Sequence, residues 1–285
     1  MNYQMLAMNI DGTLLHDNGR LHKSTRESIE FAVEKGIYVT LVTSRPFASA
    51  KRVARALKLD TFLVTQSGSF IASDAEKPIS VKKLTEEKTY ELARFLEQVN
   101  GQVRVMDEQR TLSNKIPLQQ QLLAKAVFQP AYRLTHAYTY VDSICDVLQE
   151  TPMAASKVEV TFENRNTLDD VHGALNALFD EFTYIICEDN RLEITTKGVS
   201  KLNGVKYICD RLGVKREKVV MIGSSQDDIP LMEWAGLGVA MGQSSKTVLD
   251  AADWVTRSNQ ENGVAYMVKE HFRKQQHQDF LSKFK

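Results

Sequence analysis

Met5-Leu6-Ala7-Met8-Asn9-Ile10-Asp11-Gly12-Thr13-Leu14 is the stretch on which the fold turns. A short apolar run passes straight into a polar bend at Asp11-Gly12, the pattern of a buried strand ending in a turn. Working outward, residues 24–36 (STRESIEFAVEKG) predict a helix with Ser24 as N-cap and Gly36 as its stop, with Ile29, Phe31, Ala32 and Val33 towards one side. Residues 37–43 (IYVTLVT) form a β-branched run that reads as a second buried strand. A helix over 47–59 (FASAKRVARALKL) and a third strand over 61–65 (TFLVT) follow. Strands that are apolar throughout, alternating with helices, indicate a parallel sheet covered on both faces.

The same grammar returns near the end of the chain. A helix over 199–213 closes on Gly213, and strands at 218–223 and 237–242 flank a helix at 228–236. A helix over 247–256 leads into a last short strand. Between the two halves the pattern changes. Helices at 85–99 and 167–179 alternate with strands, and 102–114 and 182–196 read as hairpins. The expected architecture is α/β: a parallel-sheet core built from 1–82 and 191–285, with an α+β domain inserted over 83–190. No internal repeat or low-complexity linker interrupts it.

Composition narrows the function classes. Of 285 residues, 43% are hydrophobic and 25% charged, which implies a packed core rather than global disorder. Lys plus Arg and Asp plus Glu both number 36, which argues against a nucleic-acid binder driven by bulk charge. Cys145, Cys187 and Cys209 are odd in number and lack C-x-x-C spacing, so a disulfide scaffold or Cys-based zinc site is not expected. The first residues reach Asn9 and Asp11 before a signal-type apolar region could form, and no apolar run approaches the roughly 18 residues that span a bilayer. The basic tail Lys269–Lys285, with Phe272, Phe280 and Phe284 interleaved, reads as a terminal helix docking its aromatics. The expectation is a cytoplasmic protein with neither a membrane nor a nucleic-acid partner.

Ligands of an open parallel sheet bind beyond the carboxyl ends of its strands, where strand order reverses. Asn9, Asp11, Gly12 and Thr13 follow the first strand. Thr43, Ser44 and Arg45 follow the second, and Gln66, Ser67 and Gly68 the third. Gly223 to Asp228 follow the 218–223 strand, and Lys201 starts the helix before it. Singly, each group has a plain structural reading: a turn at Asp11-Gly12, helix N-caps at Thr43-Ser44 and Asp227-Asp228. Together at equivalent strand ends they make a site for a hard cation and an anion. Carboxylate oxygens suit Mg²⁺, while Lys201, Thr43, Arg45 and helix N-terminal amides suit phosphate.

These residues resemble the haloacid dehalogenase (HAD) superfamily, in its Cof-type phosphatase branch with a large α/β cap. The first family motif, D-x-D-G-T-L, is matched by Asn9-Ile10-Asp11-Gly12-Thr13-Leu14. T-G-R is matched by Thr43-Ser44-Arg45, and the motif lysine by Lys201 after Gly198-Val199-Ser200. G-D-S-x-N-D-x-x-M is matched by Gly223-Ser224-Ser225-Gln226-Asp227-Asp228-Ile229-Pro230-Leu231. Residues 238–242, 252–256 and 262–265 resemble the same branch. The resemblance implies a HAD-like Rossmannoid core with an inserted cap, and Mg²⁺-dependent hydrolysis of a small phosphorylated metabolite through an aspartyl-phosphate. It implies a catalytic set at Asn9, Asp11, Thr43 and Lys201, with Asp11 as acid and base. Gly12, Ser44, Arg45 and Asp227 would meet substrate. Asn9, Asp11, Ser224 and Asp228 would be the metal positions.

The departures bear on catalysis. Asn9 stands at the nucleophile position and Ser224 at a metal-ligand position, while Asp227 replaces the usual Asn. An amide cannot replace a carboxylate as the group attacking phosphorus, so turnover is expected to be impaired and Mg²⁺ held weakly or not at all. With Ser44 and Ser67 also departing on the same rim, the pattern reads as drift of a whole site rather than one engineered change. The alternative is a non-catalytic descendant that binds a phosphometabolite or a protein partner. His16, His22, His136, His172, His271 and His277 read as surface or structural groups, Met221, Met232 and Met241 as packing, and Trp234 and Trp254 as core anchors. Arg104, Arg110, Asn114 and Lys115 are the cap residues that could face substrate.

Overall fold

The structure, a computed structural model, describes residues 2–108, 110–115, 138–187 and 189–277. His136, Phe280 and Phe284 lie outside them. The chain forms two compact units: residues up to Ile79 together with those from Ser200 on, and the inserted Ser80–Val199.

The first unit begins with β1 (Met5–Met8), α1 (Lys23–Glu34), β2 (Tyr38–Leu41), α2 (Phe47–Ala56), β3 (Leu63–Thr65) and β4 (Phe70–Ala72). The cap of α1 is not Ser24 but His22, whose extended backbone precedes the first turn and whose Nδ1 accepts from the Ser24 N–H at 3.3 Å. This side chain does the work of an Asx or Ser cap. β4 folds back antiparallel on β3, a strand the alternation rule misses because it is only three residues long and follows the 3₁₀ turn Gln66–Gly68 almost at once.

The inserted unit carries β5 (Ser80–Val81), α3 (Glu86–Leu96), β6 (Gly101–Met106), β7 (Thr111–Asn114), β8 (Tyr138–Val141) and α4 (Ile144–Glu150). It continues through β9 (Lys157–Phe162), α5 (Arg165–Leu178), β10 (Phe182–Ile186) and β11 (Arg191–Thr196). Six strands form one sheet in the order β10-β11-β9-β6-β7-β8, and both expected hairpins are present. Alternate residues decide its faces. Val103, Val105, Val158, Val160, Leu192 and Ile194 join Leu92, Leu96, Leu168 and Leu175 in one apolar cluster. The opposite phase is polar yet buried: Arg104, Lys157, Glu159 and Glu193, with Lys157 Nζ 2.7 Å from Glu159 and 3.3 Å from Glu193. Burial pushes the Lys157 ammonium towards neutrality, but the two glutamates outweigh that and hold its pKa above the usual value. The unit ends at Val199 rather than 190, because β11 is the antiparallel partner of both β10 and β9 and cannot belong to the core.

The core resumes with α6 (Lys201–Leu212), β12 (Val219–Gly223), α7 (Ile229–Trp234), β13 (Leu237–Ala240), α8 (Lys246–Asp250), β14 (Trp254–Val255) and α9 (Gly263–Phe272). Its sheet runs β14-β13-β12-β1-β2, all parallel, with β3 continuing the edge through the Val42↔Val64 bridge. Met5 to Met8 are wholly buried, as are Val219 to Ile222 beside them. Met221, Met232 and Met241 are core residues, and Trp234 packs on the core's margin. β1 is the strand where order reverses: successive chain elements lie to one side as β2 and β3, and to the other as β12 to β14. The carboxyl ends of β1 and β12 therefore flank the crevice in which such sheets bind ligands.

Candidate functional site

Asn9 leaves the end of β1 and is buried. Its Oδ1 accepts the Ile10 N–H at 2.7 Å, while Nδ2 donates to Asp228 Oδ2 at 2.9 Å and lies 3.2 Å from Ser225 Oγ. The reverse amide orientation would set an oxygen against a carboxylate, so the network itself fixes which end is which. Two residues on, the chain is extended at Asp11 and left-handed at Gly12, φ +64°. A Cβ at Gly12 would stand 2.7 Å from Ser224 Oγ, so glycine is required both for conformation and for space. This bend turns the Asp11 carboxylate onto Arg45, whose Nε and NH2 meet its two oxygens at 2.8 and 2.6 Å.

Arg45 is positioned by the turn after β2. The buried Thr43 hydroxyl accepts the Arg45 N–H at 3.2 Å, and the carbonyls of Thr43 and Arg45 accept from the Ser67 and Gln66 amides. Ser44 sits half-buried between them. Gln66, Ser67 and Gly68 form a left-handed run, φ +50°, +58° and +107°, which brings the backbone against Ser200, the cap residue of α6.

Lys201, on the first turn of α6, reaches Asp227 Oδ2 at 2.8 Å and Asp228 Oδ1 at 2.7 Å, and all but 3% of it is buried. Asp228 is the most completely satisfied group of the site. Beyond Lys201 on Oδ1, its Oδ2 accepts from Asn9 Nδ2, from the Ser224 and Ser225 amides at 3.0 and 3.1 Å, and from Ser225 Oγ at 2.8 Å. Burial alone would raise the Asp228 pKa; the Lys201 ammonium and the amide donors outweigh it and hold the carboxyl below its usual range. The same burial opposes the charge on Lys201, and Asp227 and Asp228 outweigh it in turn. Ser224 Oγ donates to the Asp11 carbonyl at 3.2 Å and lies 3.3 Å from Thr13 Oγ1.

All the core residues expected from the sequence thus gather at one rim. Two more were missed. Gln243, past the end of β13, donates to the Gly12 carbonyl at 2.5 Å and accepts from the Asn259 N–H, and Asn259 in turn binds the Leu15 carbonyl and Asp17. The strand-end rule applied to β13 as well would have found Gln243. The inserted-unit residues are engaged locally. Asn114 at the end of β7 bonds the Val103 N–H and the Gly101 carbonyl of the neighbouring β6, Arg110 pairs with Asp107, and Lys115 with Asp142. Arg104 is buried beside Gln102 and Glu159.

A parallel sheet with acidic and basic groups converging beyond β1 and β12 defines a Rossmann-like fold with a charged crevice at the position where such sheets bind ligands. The match to haloacid dehalogenase-like hydrolases runs over residues 6–268, and the chain belongs to that family. It is 41% identical, over all of its length and 98% of the relative's, to the stress response protein YhaX of Bacillus subtilis. It is 26% identical, over 94% of its length and 97% of the relative's, to the B. subtilis 5-amino-6-(5-phospho-D-ribitylamino)uracil phosphatase YitU. Among solved structures, a haloacid dehalogenase-like hydrolase of B. subtilis superposes with a TM-score of 0.82 at 20% identity, covering 94% of this chain and 99% of that one. A subclass IIB sugar phosphatase, BT4131, does so with a TM-score of 0.78 at 23% identity, covering 95% and 99%.

Phosphatases of this family generally use Mg²⁺. The donor set here does not fit that ion, which demands oxygen ligands in octahedral array. At Asn9 the atom facing Asp228 is a nitrogen donor, and Oδ1 is taken by an amide. The Asp11 carbonyl already receives the Ser224 hydroxyl, and each Asp228 oxygen is engaged, one of them by an ammonium. Among the described residues no three His, Cys, Asp or Glu side chains assemble as a metal cluster.

Proposed function

We propose that this chain binds a small phosphorylated metabolite at a phosphatase-derived site and hydrolyses it poorly or not at all. The observation that carries the reading is the Asn9 amide donating to Asp228, where the family chemistry needs a carboxylate facing phosphorus. In this reading Arg45, Lys201, Thr43, Ser44 and Gly12 receive the phosphoryl group, with Asp227 beside it, while Asp11, Ser224 and Asp228 are remnants of the acid/base and metal functions. A sugar or nucleotide-precursor phosphate suits it, since relatives such as YitU are phosphatases of a phosphoribityl compound. Three cysteines without disulfides accord with a reducing compartment, and we place the protein in the cytoplasm.

Slow hydrolysis of the same phosphomonoesters is the second reading, favoured by the retention of Asp11, Lys201 and Asp228 on one rim. The deciding experiment compares hydrolysis of a phosphomonoester panel, with and without Mg²⁺, by the wild-type chain and by an Asn9→Asp, Ser224→Asp double variant. Loss of a covalent nucleophile costs up to about a millionfold, so activity confined to the double variant is expected. Turnover by the wild-type chain that Asp11→Ala abolishes would instead establish the second reading.

A further inference from the structure

Both cations of the site are already held by carboxylates. Asp11, Asp227 and Asp228 face Arg45 and Lys201, which leaves one net negative charge where a phosphate dianion would have to enter. An anion can be accepted only if a carboxylate gives way. Asp228 cannot: it is wholly buried and held by the Lys201 ammonium, two backbone amides, the Ser225 hydroxyl and the Asn9 amide, and Asp227, 14% exposed, shares that same ammonium at 2.8 Å rather than Arg45. Asp11 differs in exposure and in its partners. Its side chain is 35% exposed, its carboxylate is held by Arg45, and its backbone is extended and followed by left-handed Gly12 within the turn Ile10–Leu14.

We propose that Asp11 is a built-in competitor for Arg45, and that a phosphate group enters this site by taking Asp11's place on the guanidinium. This rests on the phosphate-binding reading above and adds to it an autoinhibitory contact. The geometry supports exchange rather than simple opening. Arg45 is only 5% exposed, and a guanidinium so buried cannot be left without an anion. Its Nε and NH2 present a planar fork to two carboxylate oxygens, and two phosphate oxygens match the same fork. Its NH1 lies 3.4 Å from Ser49 Oγ, a contact that keeps the fork aimed while the partner changes. In the exchange no covalent bond forms or breaks: the two N–H groups move from carboxylate to phosphate oxygens, and Asp11 turns to solvent.

The test is calorimetric titration of inorganic phosphate, without metal, into the wild-type chain, Asp11→Asn and Arg45→Gln. Removing the competing charge should tighten phosphate binding by about tenfold, while Arg45→Gln should lose it. Equal or weaker binding by Asp11→Asn, with the wild-type chain binding, overturns the competitor role and leaves the phosphate-binding reading standing. Absence of binding in the wild-type chain and both variants overturns both. Should Asp11→Asn not fold, the Asp11 side-chain carboxyl ¹³C resonance of the wild-type chain decides. It must shift on phosphate addition in step with saturation, and a resonance unmoved at saturation overturns the proposal.

Discussion

At the scale of single residues the site is governed by the rule that a buried charge must be matched. Lys201 and Asp228 lie in the interior, and deleting one partner leaves the other charged and dry, at a cost of about 3–5 kcal/mol. Lys201→Met is therefore expected to lower the denaturation midpoint strongly, read by chemical unfolding at pH 7. The pH dependence follows from the direction of each shift. Asp228 is held below the ordinary carboxylate range, so its contribution is complete above the unfolded value of about 4 and is lost as pH falls through the lower folded value. Lys201 is held above its ordinary value, so its contribution is complete below about 10.4 and lost only as pH rises through the raised one. Stability of the wild-type chain should decline below about pH 4, and Lys201→Met should flatten that acid limb. An unchanged acid limb in the variant would mean that the Lys201–Asp228 pair does not set it.

Among the elements, the least regular pieces place the chemistry. Ser67 and Gly68 hold left-handed conformations where β3 ends, and a Cβ on Gly68 would come within 2.3 Å of the Ser200 carbonyl at the start of α6. Gly68→Ala must strain the backbone and push the helix that carries Lys201. A loss of about 2 kcal/mol or more is expected, together with weaker phosphate binding, by unfolding and titration of the same preparation. The control is Thr85→Ala, which removes the cap of α3 in the other unit, where Thr85 Oγ accepts the Lys88 N–H at 3.1 Å. It should cost about 1 kcal/mol and leave binding alone. Strands such as Met5–Met8 were legible because burial on both faces leaves an uninterrupted apolar run. The short returns were not: Phe70–Ala72 gives three residues of pattern, and the left-handed run before it is unmarked, since Gln66 and Ser67 are residues that ordinarily avoid positive φ. Likewise His22 carries no cap signal in the sequence, because imidazole is not among the usual capping groups.

For the molecule as a whole, two separate cores set the expectation. The inserted unit buries its own cluster around Leu92, Val105, Val160 and Ile194, distinct from that around Met5, Val205 and Met221. Leu92→Ala should cost about 2–5 kcal/mol, and hydrogen exchange should report the loss in Ser80–Val199 while amides of β1 and β12 keep their protection. Uniform loss in both units would show that they unfold as one. The sequence carried the architecture because alternation of element types survives insertion; the expected boundary at 190 cuts through the 182–196 hairpin, whose return strand Arg191–Thr196 stays with its partner Phe182–Ile186 in the inserted sheet. The rim was readable residue by residue, since strand ends converge by topology, whereas the pairing among those residues was not. Nothing in the spacing says that Asp11 meets Arg45 while Asp228 meets Lys201.

The Asn9–Asp228 hydrogen bond also makes the residues at those two positions depend on each other. Asn9→Asp alone would set two carboxylates at the 2.9 Å separation now bridged by an amide hydrogen, with neither a cation nor a spare proton between them. Asn9→Asp alone is thus expected to lower the unfolding midpoint. The two positions are tied to each other through that hydrogen bond, so neither can be exchanged alone without a cost in folding energy.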